Sequence, residues 1–290
     1  MYLKKQDLTT KLLIVSLVVG LGLIAYPTVA NWWNAFHQSR AIMDYETAIS
    51  QMSNEKYQQL LNEAKAYNQQ ISEQGINWVL SDAERDRYNK ILNVDGHGNM
   101  GYISIPKIKV NLPLYHGVSE AVLQSAIGHI EGSSLPVGGQ TSHSIVSGHR
   151  GLPSSRLFTD LDRLQVGDRW TVSILNETHT YEVDQIKTVT PNDFQFLQLE
   201  PDQDLMTLVT CTPYGVNTHR LLIRGHRVEN ENGNAMVVAE AIQIRAIFIA
   251  PFLALPLLII LFIGFLSLSK KRQARRIAEQ RVRKRLNQNQ

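Results

Sequence analysis

The hydrophobic pattern of the chain opens with one long apolar run. Leu12 to Ala25 is almost wholly apolar, and the run continues through Tyr26-Pro27-Thr28-Val29-Ala30 to the pair Trp32-Trp33. At about 1.5 Å per helical residue, such a run is long enough to cross a bilayer. A cleaved signal peptide fits the same residues, with lysines before the run and small residues at Thr28 and Ala30; the reading carried forward is a membrane helix over 12–30. A second run, Ala246 to Leu268, has 23 residues without a charge, and Lys270-Lys271-Arg272 follows at once. A buried helix of a soluble protein is rarely apolar all round for so long, so residues 246–269 are expected to form a second membrane helix.

Between the two runs the period of the pattern changes. Residues 38–74 contain no Pro or Gly, and Ile42, Tyr45, Ile49 and Met52, then Tyr57, Leu60, Leu61, Ala64 and Tyr67, recur at three- and four-residue spacing. That is one helix face, and it predicts helices over about 38–52 and 54–73, the second capped by Ser53 or Asn54. A charge-rich connector, Ser81 to Lys90, leads to the Gly-rich Asp95-Gly96-His97-Gly98-Asn99. From Gly101 the period is two. The expected strands are 102–105, 108–110, 144–146, 168–172, 181–183, 187–189, 205–210 and 220–223, with short helices at 119–126 and 156–161. About eight short strands separated by turn residues predict a mainly β fold, an eight-stranded barrel over 101–228. The helical region 31–100 precedes it and a linker, 229–245, follows.

Charge sets the topology. The formal net charge is +3, but Lys4, Lys5 and Lys11 against Asp7 make the first eleven residues basic, and from Lys270 onward nine basic residues face only Glu279. The intervening chain is therefore acidic. Basic ends flanking apolar runs place both termini, 1–11 and 270–290, in the cytoplasm and residues 31–245 outside. Positive charge confined to such tails argues against nucleic-acid binding.

Cys211 is the only cysteine, which excludes an intramolecular disulfide framework and a multi-cysteine metal site. Among the residues of 101–228 there is no EF-hand loop and no H-E-x-x-H string, and no G-x-S-x-G elbow marks a serine hydrolase. No metal and no cofactor are expected. A lone thiol on an exported domain invites a chemical role instead. Cys211 ends the apolar run Met206 to Thr210, turn residues Pro213, Gly215 and Asn217 follow, and strand character resumes at Arg220. The two flanks read as adjacent antiparallel strands, which puts the Arg220 guanidinium within reach of the thiol or of an oxyanion formed beside it. A thiolate is the nucleophilic form of cysteine and is commonly generated beside a histidine. Of nine histidines, His149 stands out because it follows the apolar strand 144–146 on a loop between Gly148 and Gly151. Read this way, Cys211 is either a nucleophile or a small apolar residue at a strand end.

Thr207-Leu208-Val209-Thr210-Cys211, Ser147-Gly148-His149-Arg150-Gly151 and an Arg nine residues after the Cys resemble the sortases, cysteine transpeptidases of Gram-positive cell surfaces. Leu135-Pro136-Val137-Gly138-Gly139, His149 through Asp162, Cys211 through Arg227 and the two flanking apolar runs are similar to the class C, pilus-assembling members. The resemblance implies Cys211 as nucleophile, His149 as proton donor and acceptor, and Arg220, in preference to Arg224, as the group that positions substrate and stabilises the oxyanion. It further implies pilin subunits with LPxTG-like sorting signals as partners, cleavage between Thr and Gly through a thioacyl-enzyme, and resolution by a pilin Lys. The housekeeping sortase is an implied partner for wall anchoring. A wall-anchoring transpeptidase using a peptidoglycan amine and a non-enzymatic membrane scaffold are the alternatives. One departure stands out: class C members carry an Asp-Pro-aromatic lid before the barrel, and residues 68–100 contain no Pro. Trp78 and Asp82 are partial substitutes, so either an atypical lid or a more open site is expected.

Overall fold

The computed structural model describes residues 2–230; the expected second membrane helix at 246–269, most of the 229–245 linker and the basic tail at 270–290 lie outside the described residues. The chain begins with one helix, α1 (Tyr2–Ser50), where a membrane helix and a separate helix from 38 were expected. Pro27 lies inside it without ending it. Its Leu12–Ser50 portion includes a window of mean hydropathy 2.3, none of it buried, long and apolar enough to cross a membrane. Further along, Ile42, Tyr45 and Ile49 are buried, as the three- and four-residue spacing requires.

Helix α2 (Asn54–Gln74) starts where Ser53 caps it, its hydroxyl accepting from the Lys56 N–H at 3.2 Å, and buries Leu60, Leu61, Ala64, Tyr67 and Ile71. Helix α3 (Asp82–Tyr88) occupies the charged connector that the sequence reading left without structure. Its signal was present: Ser81 and Glu84 form a reciprocal capping box.

The barrel closes in the order β1-β2-β3-β4-β7-β8-β6-β5. Its strands are β1 (Asn99–Ile105), β2 (Val110–His116), β3 (Ile127–His129), β4 (Ser142–Ser147), β5 (Arg169–Ile174), β6 (Glu177–Val189), β7 (Asp204–Thr212) and β8 (His219–Val228). The expected total of eight is right by compensation. The candidates at 181–183 and 187–189 are one strand, β6, kinked by a register shift between Val183 and Gln185. The candidate at 108–110 is mostly a 3₁₀ turn, Pro106–Ile108, after which β2 runs on to His116. The expected helix at 119–126 is only α4 (Glu120–Leu123), and the short strand β3 follows it. At 156–161 the chain is turn-rich, with a 3₁₀ turn at Leu161–Arg163.

Two pairings are parallel, β2 with β3 and β4 with β7. The barrel interior is filled by Trp170, Tyr181, Phe158, Ile103, Leu114, Met206 and Leu208, and the inner faces of α1 and α2 extend the same core outward. A second, smaller cluster consists of Ile145, Val189, Leu197, Val209 and Leu222, with Ile76, Trp78, Ile130 and Phe196 packed against it.

Candidate active site

The site follows from the register of three strands. β7 and β8 pair antiparallel with Cys211 directly opposite Arg220, and β4 runs parallel to β7 with Ser147 opposite Val209. The β4–β7 pairing continues past the end of β4, because the Gly148 N–H donates to the Val209 carbonyl at 3.1 Å. The buried Thr210 hydroxyl then donates to the Gly148 carbonyl at 2.7 Å. One residue further along each chain stand His149 and Cys211. Side chains alternate across a strand, so Cys211 shares a face with Val209 and Arg220 with Leu222; His149 stands two residues past the end of β4. Val209, Leu222 and Ile145 all belong to the smaller apolar cluster. Cys211 and Arg220 thus leave the sheet on one face, at the end of one apolar strip, and the loop that carries His149 follows the neighbouring strand β4.

Gly148 is required there for space. A Cβ on it would stand 2.7 Å from the Phe158 ring and 2.9 Å from Ile127, so the backbone that presents His149 lies closer to the barrel than any side chain allows. The thiol of Cys211 is free and half-buried. The imidazole of His149 is partly exposed, but its Nε2 is buried without a hydrogen-bond partner, and Glu120 Oε2 stands 3.7 Å from it. Arg220 Nη1 donates only to the loop carbonyls of Asn217 and His219, at 3.3 and 3.1 Å, and no carboxylate among the described residues pairs with it. Arg224 differs. Its guanidinium forks onto Asp184 at 2.9 and 3.1 Å and also pairs with Glu200. Of the two, Arg220 is the one opposite Cys211 in the register and the one with no carboxylate partner among the described residues.

Several contributors escaped the sequence reading. Arg150, nearly buried, donates to the Thr212 hydroxyl at 3.2 Å, pairs with Asp162 and lies 5.8 Å from the Tyr214 ring centre, tying the His149 loop to the loop after Cys211. His143 lies one turn of the pleat before Ile145 on β4; its Nδ1 meets the Gln198 carbonyl at 2.8 Å and its Nε2 the Thr207 hydroxyl at 2.7 Å. Burial pushes His143 down to about 4, so the ring is neutral and holds the 190–203 segment, one wall of the strip, by hydrogen bonds alone. The adjacency of Arg150 to His149 was a signal; nothing local marked His143.

Trp78 and Asp82, the partial substitutes for the missing lid, separate. Trp78 packs on the strip with Ile76 and lies 4.8 Å, ring centre to ring centre, from Phe194. Asp82 begins α3 in solvent and stands 3.7 Å from Arg85. An aromatic residue thus rests on the strip without the Asp-Pro that accompanies it in the family pattern. Among the described residues, no group of three or more His, Cys, Asp or Glu side chains is arranged to hold a metal ion.

The sortase domain model matches residues 103–228. Among solved structures, sortase C1 from Streptococcus agalactiae is 63% identical with a TM-score of 0.65, covering 66% of this chain and 100% of that one. Sortase C from Streptococcus pneumoniae is 38% identical with a TM-score of 0.60, covering 66% and 97%. A sortase A of Streptococcus agalactiae is 25% identical over 205 residues, 69% of this chain and 77% of that one. The domain match and the solved relatives together define a cysteine transpeptidase of the sortase type. The chain belongs to the sortase family, and its likeness is to the class C members.

Proposed function

We propose that this chain is a membrane-anchored pilin polymerase that acts through Cys211, His149 and Arg220. The observation that carries the reading is the cross-strand pair of the chain's only thiol with an arginine that no carboxylate among the described residues neutralises. The Cys211 thiolate attacks the Thr carbonyl of an LPxTG-like sorting signal. Charge develops on the carbonyl oxygen, and the Arg220 guanidinium offers donors to it, an interaction worth about 3 kcal/mol in other acyl-transfer sites. The C–N bond to Gly breaks as His149 protonates the leaving amine, which leaves a Thr thioester on Cys211. A pilin Lys amine then gives up a proton to His149 and attacks the thioester, forming the isopeptide bond and releasing the thiol. The apolar strip beyond Cys211 suits the Leu and Pro of the signal.

Pilin as substrate is supported by the 38% identical Streptococcus pneumoniae sortase C, whose structure is described as giving insights into pilin substrate specificity. Anchoring is supported by the apolar part of α1; on the charge pattern, a second span at 246–269 returns the chain to the cytoplasm and leaves the barrel outside. The test is incubation of the full-length protein in detergent with candidate pilins, followed by mass spectrometry of cross-linked products. Lys–Thr isopeptides between pilins are expected, and Cys211→Ala is expected to abolish both cleavage and thioacyl capture while the domain stays folded. Undiminished cleavage by that variant would sink the assignment. Products joined only to peptidoglycan stem amines would replace polymerisation with wall anchoring.

A further inference from the structure

The apolar stretch of α1 closes at Ala30, and the next residue begins a polar stripe. Asn31, Asn34 and Gln38 stand at i, i+3 and i+7, one face of the helix. The same face continues four, seven and eleven residues further on as Ile42, Tyr45 and Ile49, the residues that dock α1 on the barrel. The stripe is not solvated. Asn31 Oδ1 accepts from the Arg156 N–H at 3.0 Å, Asn34 Nδ2 donates to the Ser154 carbonyl at 2.8 Å, and Gln38 Nε2 donates to the Ser155 hydroxyl at 3.1 Å. Three side chains of α1 thus take hold of three consecutive residues, 154 to 156. The second hydrogen of the Gln38 amide donates to the Ser125 carbonyl at 2.6 Å, two residues past α4. Gln38 is 8% exposed and Ser155 3%, so the bond between them is made away from water, where a lost partner costs most, whereas the bond to Ser125 is only partly buried.

Residues 154–156 are the tip of the loop that begins at His149. The loop is closed at its base by the Phe158 N–H donating to the His149 carbonyl at 3.1 Å, braced by the Gly151 N–H on the Thr159 hydroxyl at 3.1 Å, and folded at its tip by a bridge between Leu152 and Ser155. Ser125, the other end of the Gln38 bridge, leads from α4 into β3, and α4 carries Glu120, the carboxylate facing His149. Both segments that flank the imidazole are therefore fastened to one amide on α1.

We infer that Gln38, supported by Asn31 and Asn34, is a positioning residue of the active site, through which the membrane-proximal helix holds the His149 loop in register with Cys211. The inference rests on His149 being the acid–base group proposed above. With a rise of about 1.5 Å per residue, Gln38 lies about 12 Å along the helix from Ala30. The apolar stretch and the residues that hold the loop belong to one continuous helix, α1, with no linker between them. The substrate this suits is a polypeptide itself held at the membrane surface.

The experiment uses the full-length protein in detergent micelles with an LPxTG peptide, and compares wild type, Gln38→Leu and the double variant Asn31→Ala/Asn34→Ala. Rates are expressed per Cys211 thiol titrated with a methanethiosulfonate reagent, on protein from which misfolded material has first been removed by size-exclusion chromatography. The expected result is a fall in kcat of about tenfold for Gln38→Leu and a few-fold for the double variant, with KM within twofold, because α1 supplies no residue to the apolar strip. Hydrogen–deuterium exchange of residues 150–157 is expected to rise while that of β7 stays unchanged. A kcat per thiol within twofold of wild type, a loss carried wholly by KM, or unaltered exchange at 150–157 would each overturn the inference. Should Gln38→Leu fail to fold, the double variant decides the matter by the same criteria. A wild type inactive on every sorting peptide would fail the functional reading instead, and the exchange measurement would still decide whether α1 holds the loop.

Discussion

Arg220 and Arg224 lie on the same face of one strand, yet their surroundings assign them opposite duties. Arg224 is neutralised by Asp184 and Glu200 and fastens the strand to its neighbours, whereas Arg220 rests on two carbonyl oxygens and keeps its charge. Arg220→Ala is therefore expected to lower kcat/KM for sorting-peptide cleavage by about 10²–10³. Arg220→Lys is expected to restore only part of it, because an ammonium keeps the charge without the planar fork. Steady-state kinetics of the two variants checks this, and equal activity of wild type and Arg220→Ala would remove the residue from the mechanism. Thr210 acts at one remove. Its hydroxyl on the Gly148 carbonyl is a buried bond, so Thr210→Val is expected to cost about 1–3 kcal/mol of stability and to slow turnover by loosening the approach to His149. Calorimetry and kinetics together measure both parts.

One wall of the strip is the segment 190–203, which packs Leu197 into the strip and is tied to the barrel by hydrogen bonds and an ion pair. His143 ties down Gln198 and Arg224 ties down Glu200. His143→Leu keeps the bulk of the side chain but leaves the Gln198 carbonyl and the Thr207 hydroxyl without their partner. KM for a sorting peptide is expected to rise several-fold with kcat nearly unchanged; a fall in kcat alone would show that the wall does not bind the signal. The elements also show what a local pattern conveys. The apolar faces of α1 and α2 and the Cys211–Arg220 hairpin were legible because their periods are written in consecutive residues. The capping box that starts α3 was equally local and could have been read from Ser81 and Glu84. β3 was not legible. It is only three residues long and is a strand because β2 and β4 lie on either side of it.

Across the whole molecule, buried histidines make folding sensitive to acid. Burial pushes His129 and His143 down to about 4 and His179 to about 3. The unfolded chain takes up these protons near pH 6.5 and the folded one only near 4 or below, so stability is full above about pH 6.5 and falls as the pH drops toward 4. His129 and His143 are each expected to cost on the order of 2–3 kcal/mol across that window. Asp204, whose carboxyl burial raises, works in the opposite sense, as one group against four histidines, since burial lowers His116 too. Thermal unfolding followed from pH 7 to pH 4 is expected to show a midpoint that falls steadily; a constant midpoint would mean that these rings are charged in the native state.

By itself, the sequence determined the membrane-length apolar run, the mainly β composition of the barrel, the single thiol and its arginine partner across a short turn. Each of these lies in neighbouring residues, so period, charge and turn chemistry suffice to read it. Only the tertiary structure decided the rest. Gly148 and Thr210, the residues before His149 and Cys211, are joined because β4 and β7 pair in parallel, a contact across about sixty residues whose register no local pattern encodes. The polar stripe of Asn31, Asn34 and Gln38 follows an apolar run and would pass for a solvated helix face. It gains its meaning from a loop more than a hundred residues away, because a buried amide is stable only where distant backbone and hydroxyl groups complete its hydrogen bonds.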